Sequence, residues 1–340
     1  MAKKINQNLE LDYKTDILTG IRPTGSLTIA NFLGAVEPII KLQEKDQSIL
    51  VFVANLHGLT DHEPEVIQKF TQEIIIDYIA LGLDPEKVNI YLQSDIANQL
   101  MYLTGLLSRH ISIARLQRIP TLKDKIKQGD NVKNINTFLF LYPVLMAADI
   151  LINRSKKVPI GEDQMAHMEV TRYLANKFNK KYGKVFPLPK ALQTESIRIL
   201  SLKGSGKMSK SLPGGAIFLT DDKKTIVKKI KSAETAFKGE MSDKLKSHIL
   251  MAKKLARNEK EIQTIDNIIE KHKKGDQVMG EFKSVLTDIV ESFLSDFQTK
   301  RNQLLKKPDL ISSILKKGKK IAQKNANETL KQVEKALDLN

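Results

Sequence analysis

Two lysines stand three residues apart in Lys207-Met208-Ser209-Lys210-Ser211, inside a stretch rich in Gly, Ser and Lys. Ammonium groups on such a loop can move onto a triphosphate and neutralise the charge that grows on a leaving group. A second segment reads as a strand end at Gly20, the turn Arg22-Pro23-Thr24-Gly25, and a helix start at Thr28-Ile29-Ala30-Asn31. A junction of this kind turns backbone N–H groups and the positive end of a helix dipole towards an anion. Gly/Pro turns between strands and helices are common, and most Lys/Ser runs are solvated loops. The lysine string stands apart from that background because it follows a parallel-sheet pattern and precedes a helical tail.

Other residues invite the same question. Asp149 closes the apolar run from Tyr142 to Ala148, where only a buried partner justifies a carboxylate. Met146 lies one turn before it, where a methionine is ordinary core filler. His57 follows a strand ending at Ala54, a place where loop residues face ligands, although a lone loop histidine is more often simply exposed. The basic stretch Thr121-Leu122-Lys123-Asp124-Lys125 is open to two readings, a solvated helix face or a phosphate contact.

The elements that must position these groups alternate. Ile17–Ile21 reads as a short buried strand, followed by a helix carrying Ile29, Phe32, Leu33, Val36 and Ile40 on one face. Pro38 should kink or split that helix. Ser48–Ala54 is a continuous apolar run, as in a parallel strand covered on both faces. An apolar helix from Phe70 to Leu81, capped by Gly82, leads to a strand over Val88–Gln93. Ser94 or Asp95 then offers an N-cap. Strand, helix, strand, helix, strand predicts an α/β fold with a doubly wound parallel sheet, whose ligands sit beyond the carboxyl ends of the strands. Residues 96–155 read as mostly helical. A strand at Val158–Ile160, a helix from Gln164 to Phe178 and a further strand at Ile197–Leu200 follow. Residues 201–215 read as a mobile loop, and everything from Asp221 onwards as helix. The expected division is a polar N-terminal segment over 1–14, a catalytic domain over 15–219 with a helical insertion at about 96–155, and an all-helical C-terminal domain over 220–340.

Composition narrows the class. The 340-residue chain has no cysteine, which excludes disulfides and thiolate metal sites and leans towards a reducing compartment. The N-terminus lacks an apolar segment of signal-peptide length, and no run approaches a membrane span, so the expectation is a cytoplasmic protein with no membrane partner. Net charge is +16, and residues 221–340 hold 27 Lys and Arg against 18 Asp and Glu. Phosphate polymers are natural partners for such a surface, but lysine-rich composition alone would look the same.

The two opening segments, in this order, resemble the two signatures of class I aminoacyl-tRNA synthetases. Three further features resemble the tryptophanyl family within the tryptophanyl and tyrosyl subgroup: the form of Pro23 to Asn31, the helix Tyr142-Pro143-Val144-Leu145-Met146-Ala147-Ala148-Asp149-Ile150, and Val158-Pro159-Ile160-Gly161-Glu162-Asp163-Gln164. The similarity runs from about Ile17 to Leu219 and is thinner beyond. It implies a Rossmann-like sheet, an anticodon-recognition role for the C-terminal helices, and a homodimer with tRNA spanning both subunits. The activity implied is ATP-dependent activation of L-tryptophan and its transfer to tRNA(Trp). By the same resemblance, Lys207, Lys210 and Lys125 act on the phosphates. Arg22, Pro23, Thr24, Thr28, Ala30, Asn31, Gly161, Asp163, Met208, Ser209 and Ser211 surround ATP. Gly20, His57, Tyr142, Met146, Asp149 and Gln164 surround the amino acid, with His57 near its carboxylate.

The residue chemistry fits tryptophan on its own terms. An indole has one N–H and no acceptor, so its pocket needs a buried acceptor, which Asp149 can supply. A site built on that bond rejects phenylalanine by stranding a carboxylate. Tyr142 and Gln164 can accept from the α-ammonium group. No dedicated set of protein metal ligands is visible, as expected for Mg²⁺ carried on phosphates and water. Two positions depart from the family pattern: Ala30 replaces a usual glycine and Arg22 a frequent glutamine. The rival readings are a tyrosyl enzyme and a non-charging paralogue that binds RNA or regulates; the intact lysine loop and Gly161 to Gln164 argue against the second.

Overall fold

A computed structural model describes residues 12–45, 47–60, 62–128, 135–161, 164–193, 197–210 and 212–339. The polar segment expected over 1–14 lies almost wholly outside them.

Strand β1 (Thr15–Ile21) is built on β-branched Thr15, Ile17, Thr19 and Ile21. The helix read after it is broken: a short α1 (Ile29–Asn31), a π-helical stretch at Phe32–Val36, then α2 (Glu37–Gln43). Pro38 falls in the first turn of α2, where its missing N–H costs no helical hydrogen bond. Next come β2 (Ile49–Val53), the four-residue α3 (Asn55–Gly58), α4 (Pro64–Ala80) and β3 (Val88–Leu92). Gly82, at φ +117°, makes the left-handed turn that ends α4. Neither Ser94 nor Asp95 caps the following helix. The Asp95 carboxylate accepts from Leu92 N–H and Ser94 pairs with Asn55, inside a 3₁₀ turn at Gln93–Ile96.

The insertion contains α5 (Ala97–Ser108), α6 (Ile113–Leu116), α7 (Pro120–Gln128) and α8 (Thr137–Ile152). β4 (Ser155–Ile160), α9 (Met165–Tyr182) and β5 (Lys190–Gln193) complete the sheet. Ile197–Leu200 is not a strand. Its contribution is a single bridge between Leu200 and Lys207, because Ile199 turns into the core and Leu200 N–H bonds the Ser247 hydroxyl instead of a sheet neighbour. The tail is α10 (Lys223–Lys231), α11 (Asp243–Leu255), α12 (Glu259–Lys273), α13 (Met279–Leu305) and α14 (Pro308–Ala336).

Among the described residues, five strands run parallel in the order β3-β2-β1-β4-β5. The chain reverses its lateral direction between β1 and β4, so a crevice opens beyond their carboxyl ends. Period-two alternation sends Ile17, Ile49, Val51 and Ile90 to one core and Leu18, Leu50, Phe52 and Tyr91 to the other. The first core continues into α10 to α13, the second into α5, α8, α9 and α14. α14 lies so close to β3 that a Cβ on Gly318 would come within 1.9 Å of the Ile90 carbonyl oxygen. Among the described residues, no helix is long and apolar enough to cross a membrane.

Candidate active site

A cavity of about 500 Å³ opens at that crevice. β1 gives it Gly20, the turn after β1 gives Arg22, α3 gives His57, α7 gives Thr121 and Lys125, α8 gives Tyr142 and Met146, the β4–α9 junction gives Gly161 and Gln164, and the first turn of α9 gives His167. Residues far apart in sequence meet because each follows the carboxyl end of a strand or lies on a helix crossing above it. Gly20 makes room on the floor: a Cβ there would lie 2.4 Å from Cζ of Phe52.

Three polar side chains close on one another at one wall. The Tyr142 hydroxyl lies 2.6 Å from Thr121 Oγ1 and 3.0 Å from His167 Nε2. Burial pushes the Tyr142 phenol up, partly opposed by the Thr121 hydrogen bond and the Arg22 charge. Lys125 Nζ stands 5.9 Å from the centre of the Tyr142 ring, at the upper limit of a cation–π contact.

Behind the lining is a buried carboxylate. Asp149 is 0 % exposed, and its Oδ2 accepts from Gln93 Nε2 at 2.8 Å and from His57 Nε2 at 3.0 Å. Gln93 also accepts from the His57 backbone N–H through Oε1 at 3.1 Å, so one amide fixes both partners. Asp149 Oδ1 has no partner among the described residues. Burial pushes this carboxyl up; the His57 and Gln93 bonds pull the other way without cancelling it. His57 thus reaches Asp149 through Nε2 and also lines the cavity, while the resemblance implies a place near the substrate carboxylate.

On the phosphate side, Lys210 Nζ donates to the Gly25 carbonyl at 2.6 Å, which seats the lysine loop on the Pro23–Gly25 turn. Gly25 sits at φ +120°, a left-handed conformation that only glycine adopts without strain. Burial pulls the Lys210 ammonium down to about 8, with Asp77 opposing and Arg22 reinforcing the shift. Met208 anchors the loop: its side chain is buried and its N–H bonds the Ile199 carbonyl at 2.8 Å. Thr28 and Asn31 bond each other reciprocally as a capping box, so both side chains hold the start of α1. Lys207 is exposed and, like Pro23, Thr24, Ala30 and Ser209, is not part of the cavity lining. Asp163 and Ser211 lie outside the described residues.

Sequence reasoning missed Gln93, Thr121 and His167 as site residues. In the sequence Gln93 is only the end of a strand. His167 follows Gln164 by three residues on a helix, a same-face spacing that was there to be read.

Comparisons with known proteins agree in direction. Residues 12–295 match the family described as tRNA synthetases class I (W and Y). A tryptophan–tRNA ligase of Treponema pallidum is 32 % identical over 330 residues, covering 95 % of this chain and 96 % of that protein. The crystal structure of tryptophanyl-tRNA synthetase from Campylobacter jejuni, complexed with ADP and tryptophan, superposes with a TM-score of 0.82. It is 31 % identical and covers 95 % of this chain and 99 % of its own. The corresponding enzyme of Mycoplasma pneumoniae gives a TM-score of 0.80 at 30 % identity, over 96 % and 98 % of the two chains.

Proposed function

We propose a reaction for this chain from one premise: it belongs to the class I tRNA synthetases of the W and Y group. The reaction is ATP-dependent ligation of tryptophan to tRNA. The tryptophan carboxylate attacks the α-phosphorus of ATP, the bond to the β,γ-pyrophosphate breaks, and tryptophanyl-adenylate forms. The 3′-terminal ribose hydroxyl of tRNA(Trp) then attacks the acyl carbon, AMP leaves, and the ester remains on the tRNA. No covalent enzyme intermediate is needed, so catalysis is positioning and charge stabilisation.

The observation that carries the choice of amino acid is Asp149 Oδ1, a buried acceptor without a partner among the described residues. An indole N–H supplies that partner, with Gly20 and Met146 beside the ring. Tyr142 and Gln164 take the α-ammonium group. Gln93 and His57 orient the carboxylate. Lys210, Lys207 and Lys125 stabilise the leaving pyrophosphate; Arg22, Gly161 and the Pro23–Gly25 turn flank the nucleotide.

Among the described residues no three His, Asp or Glu side chains converge as a metal site. Mg²⁺ would enter on the triphosphate, held by phosphate oxygens and water, and would neutralise phosphate charge there. The helices after residue 219 form the anticodon-recognition region, and the working unit is a cytoplasmic homodimer. ATP–pyrophosphate exchange with each amino acid, followed by charging of tRNA(Trp), tests the assignment. Exchange with tyrosine instead would make this a tyrosyl enzyme, and neither exchange nor charging a paralogue.

A further inference from the structure

Three helices meet at one oxygen in the wall of the cavity. Tyr142 from α8 places its hydroxyl 2.6 Å from Thr121 Oγ1 on α7 and 3.0 Å from His167 Nε2 on α9. The third side of the triangle, Thr121 to His167, is the longest at 3.3 Å. The Tyr142 hydroxyl is therefore the hub. The His167 imidazole is buried and also packs against the Tyr142 ring, with centroids 5.4 Å apart.

The charges of the cavity give this hub its importance. Arg22 and Lys125 line the cavity, and among its described lining residues none is an aspartate or glutamate. An α-ammonium group entering there depends on neutral oxygens, so the direction of each hydroxyl proton decides whether it is held or repelled. A phenol carries one proton. If that proton faces the cavity, the hydroxyl opposes a cation. If it is donated into the wall, an oxygen lone pair faces the cavity instead. Thr121 has a hydroxyl proton of its own to place, and Tyr142 is the nearer of its two partners. His167 Nε2 is then left as the acceptor for the phenol, and the bare nitrogen of an imidazole takes a hydroxyl proton readily.

We propose that His167 is a positioning residue for Tyr142: its Nε2 takes the phenol proton and leaves an oxygen lone pair for the α-ammonium group of tryptophan. Selection for an amino acid over an indole acid without the amine is thereby set from α9. The proposal rests on the reading of Tyr142 as an ammonium contact.

The test compares two ligands of the full-length protein, L-tryptophan and indole-3-propionate, which is tryptophan without its amine. The chain has no tryptophan, so the fluorescence of either ligand titrates its own binding. His167→Asn, whose amide stops short of the Nε2 position, should weaken tryptophan binding about tenfold, the order of one hydrogen bond to a charged group. Indole-3-propionate affinity stays at the parent value. His167→Gln reaches that position and keeps the parent preference for tryptophan. Tyr142→Phe loses the same preference, and adding His167→Asn to it costs nothing more. A merely structural role weakens both ligands together, and that result overturns the proposal. So does a preference that survives or rises in His167→Asn while Tyr142→Phe loses it. A preference intact in Tyr142→Phe removes the ammonium reading, and the proposal with it. If His167→Asn does not fold, His167→Leu is read by the same criteria.

Discussion

His57 Nε2 donates to Asp149 Oδ2 across 3.0 Å, while the carboxylate's other oxygen has no partner among the described residues. The carboxylate is thus oriented before any ligand arrives, and Asp149→Asn tests what that oriented charge does. Hydrogen bonds to charged groups contribute about 1.5–3 kcal/mol, against about 1 for neutral ones. Tryptophan binding should weaken roughly tenfold, since about 1.4 kcal/mol is a factor of ten, with ATP affinity almost unchanged. The chain has no tryptophan, so ligand fluorescence gives the affinity directly. Binding as tight as the parent's would remove Asp149 from indole recognition.

The same substitution has the opposite effect on stability. Burial holds the Asp149 pKa above its unfolded value, so ionising this group costs more in the folded chain than in the unfolded one. Its stabilising contribution is present below the unfolded pKa and is lost as pH rises through the folded one. Asp149→Asn should therefore melt above the parent at pH 7, with the difference closing towards about pH 4, the range of an unfolded aspartate. A variant that melts lower at both pH values contradicts this.

Gly20→Ala tests the cavity floor. The added methyl meets the Phe52 ring at 2.4 Å, far inside contact distance. Overpacking of this kind costs about 1–3 kcal/mol. A lower melting temperature and weaker tryptophan binding are expected, both partly restored by Phe52→Leu. An unaltered Gly20→Ala protein would mean that the ring moves aside freely.

Lys207→Ala and Lys210→Ala should each lower the adenylation rate by about 10²–10³-fold, the typical effect of removing a transition-state interaction. Tryptophan affinity should stay put. Lys210 is already seated on Gly25 and Lys207 is exposed, so Lys207 must move further to act. Unchanged exchange in both variants takes the loop out of the mechanism.

Lys316, Lys320 and Lys324 are exposed at four-residue spacing along α14. Reversing the three charges should weaken tRNA binding and flatten its salt dependence, by roughly 0.7–0.9 in log–log slope for each phosphate no longer neutralised. Pyrophosphate exchange should survive. Parental charging and an unaltered slope would mark that stripe as compositional.

The legible parts of the fold were those where residue type and element agree. β1, β2 and β3 announced themselves as short apolar runs, and Gly82 marked the end of α4. β5 was invisible because Lys190-Ala191-Leu192-Gln193 is short and half polar. Ile197–Leu200 looked like a strand because its apolar residues serve the core shared with α11, not the sheet. In the site, Tyr142, Met146, Gln164 and Lys125 could be picked from motifs, and all four line the cavity. Gln93 could not: its role exists only because β3 ends beside α3 and α8, which brings positions 57, 93 and 149 together. Thr121 was hidden the same way, on a helix whose approach to Tyr142 no local pattern encodes.

The most direct measurement is ATP–pyrophosphate exchange by the full-length chain, run separately with each of the twenty amino acids. Exchange that depends on tryptophan, with tyrosine and phenylalanine near background, is the predicted result. Exchange driven by tyrosine, or none with any amino acid, would contradict it.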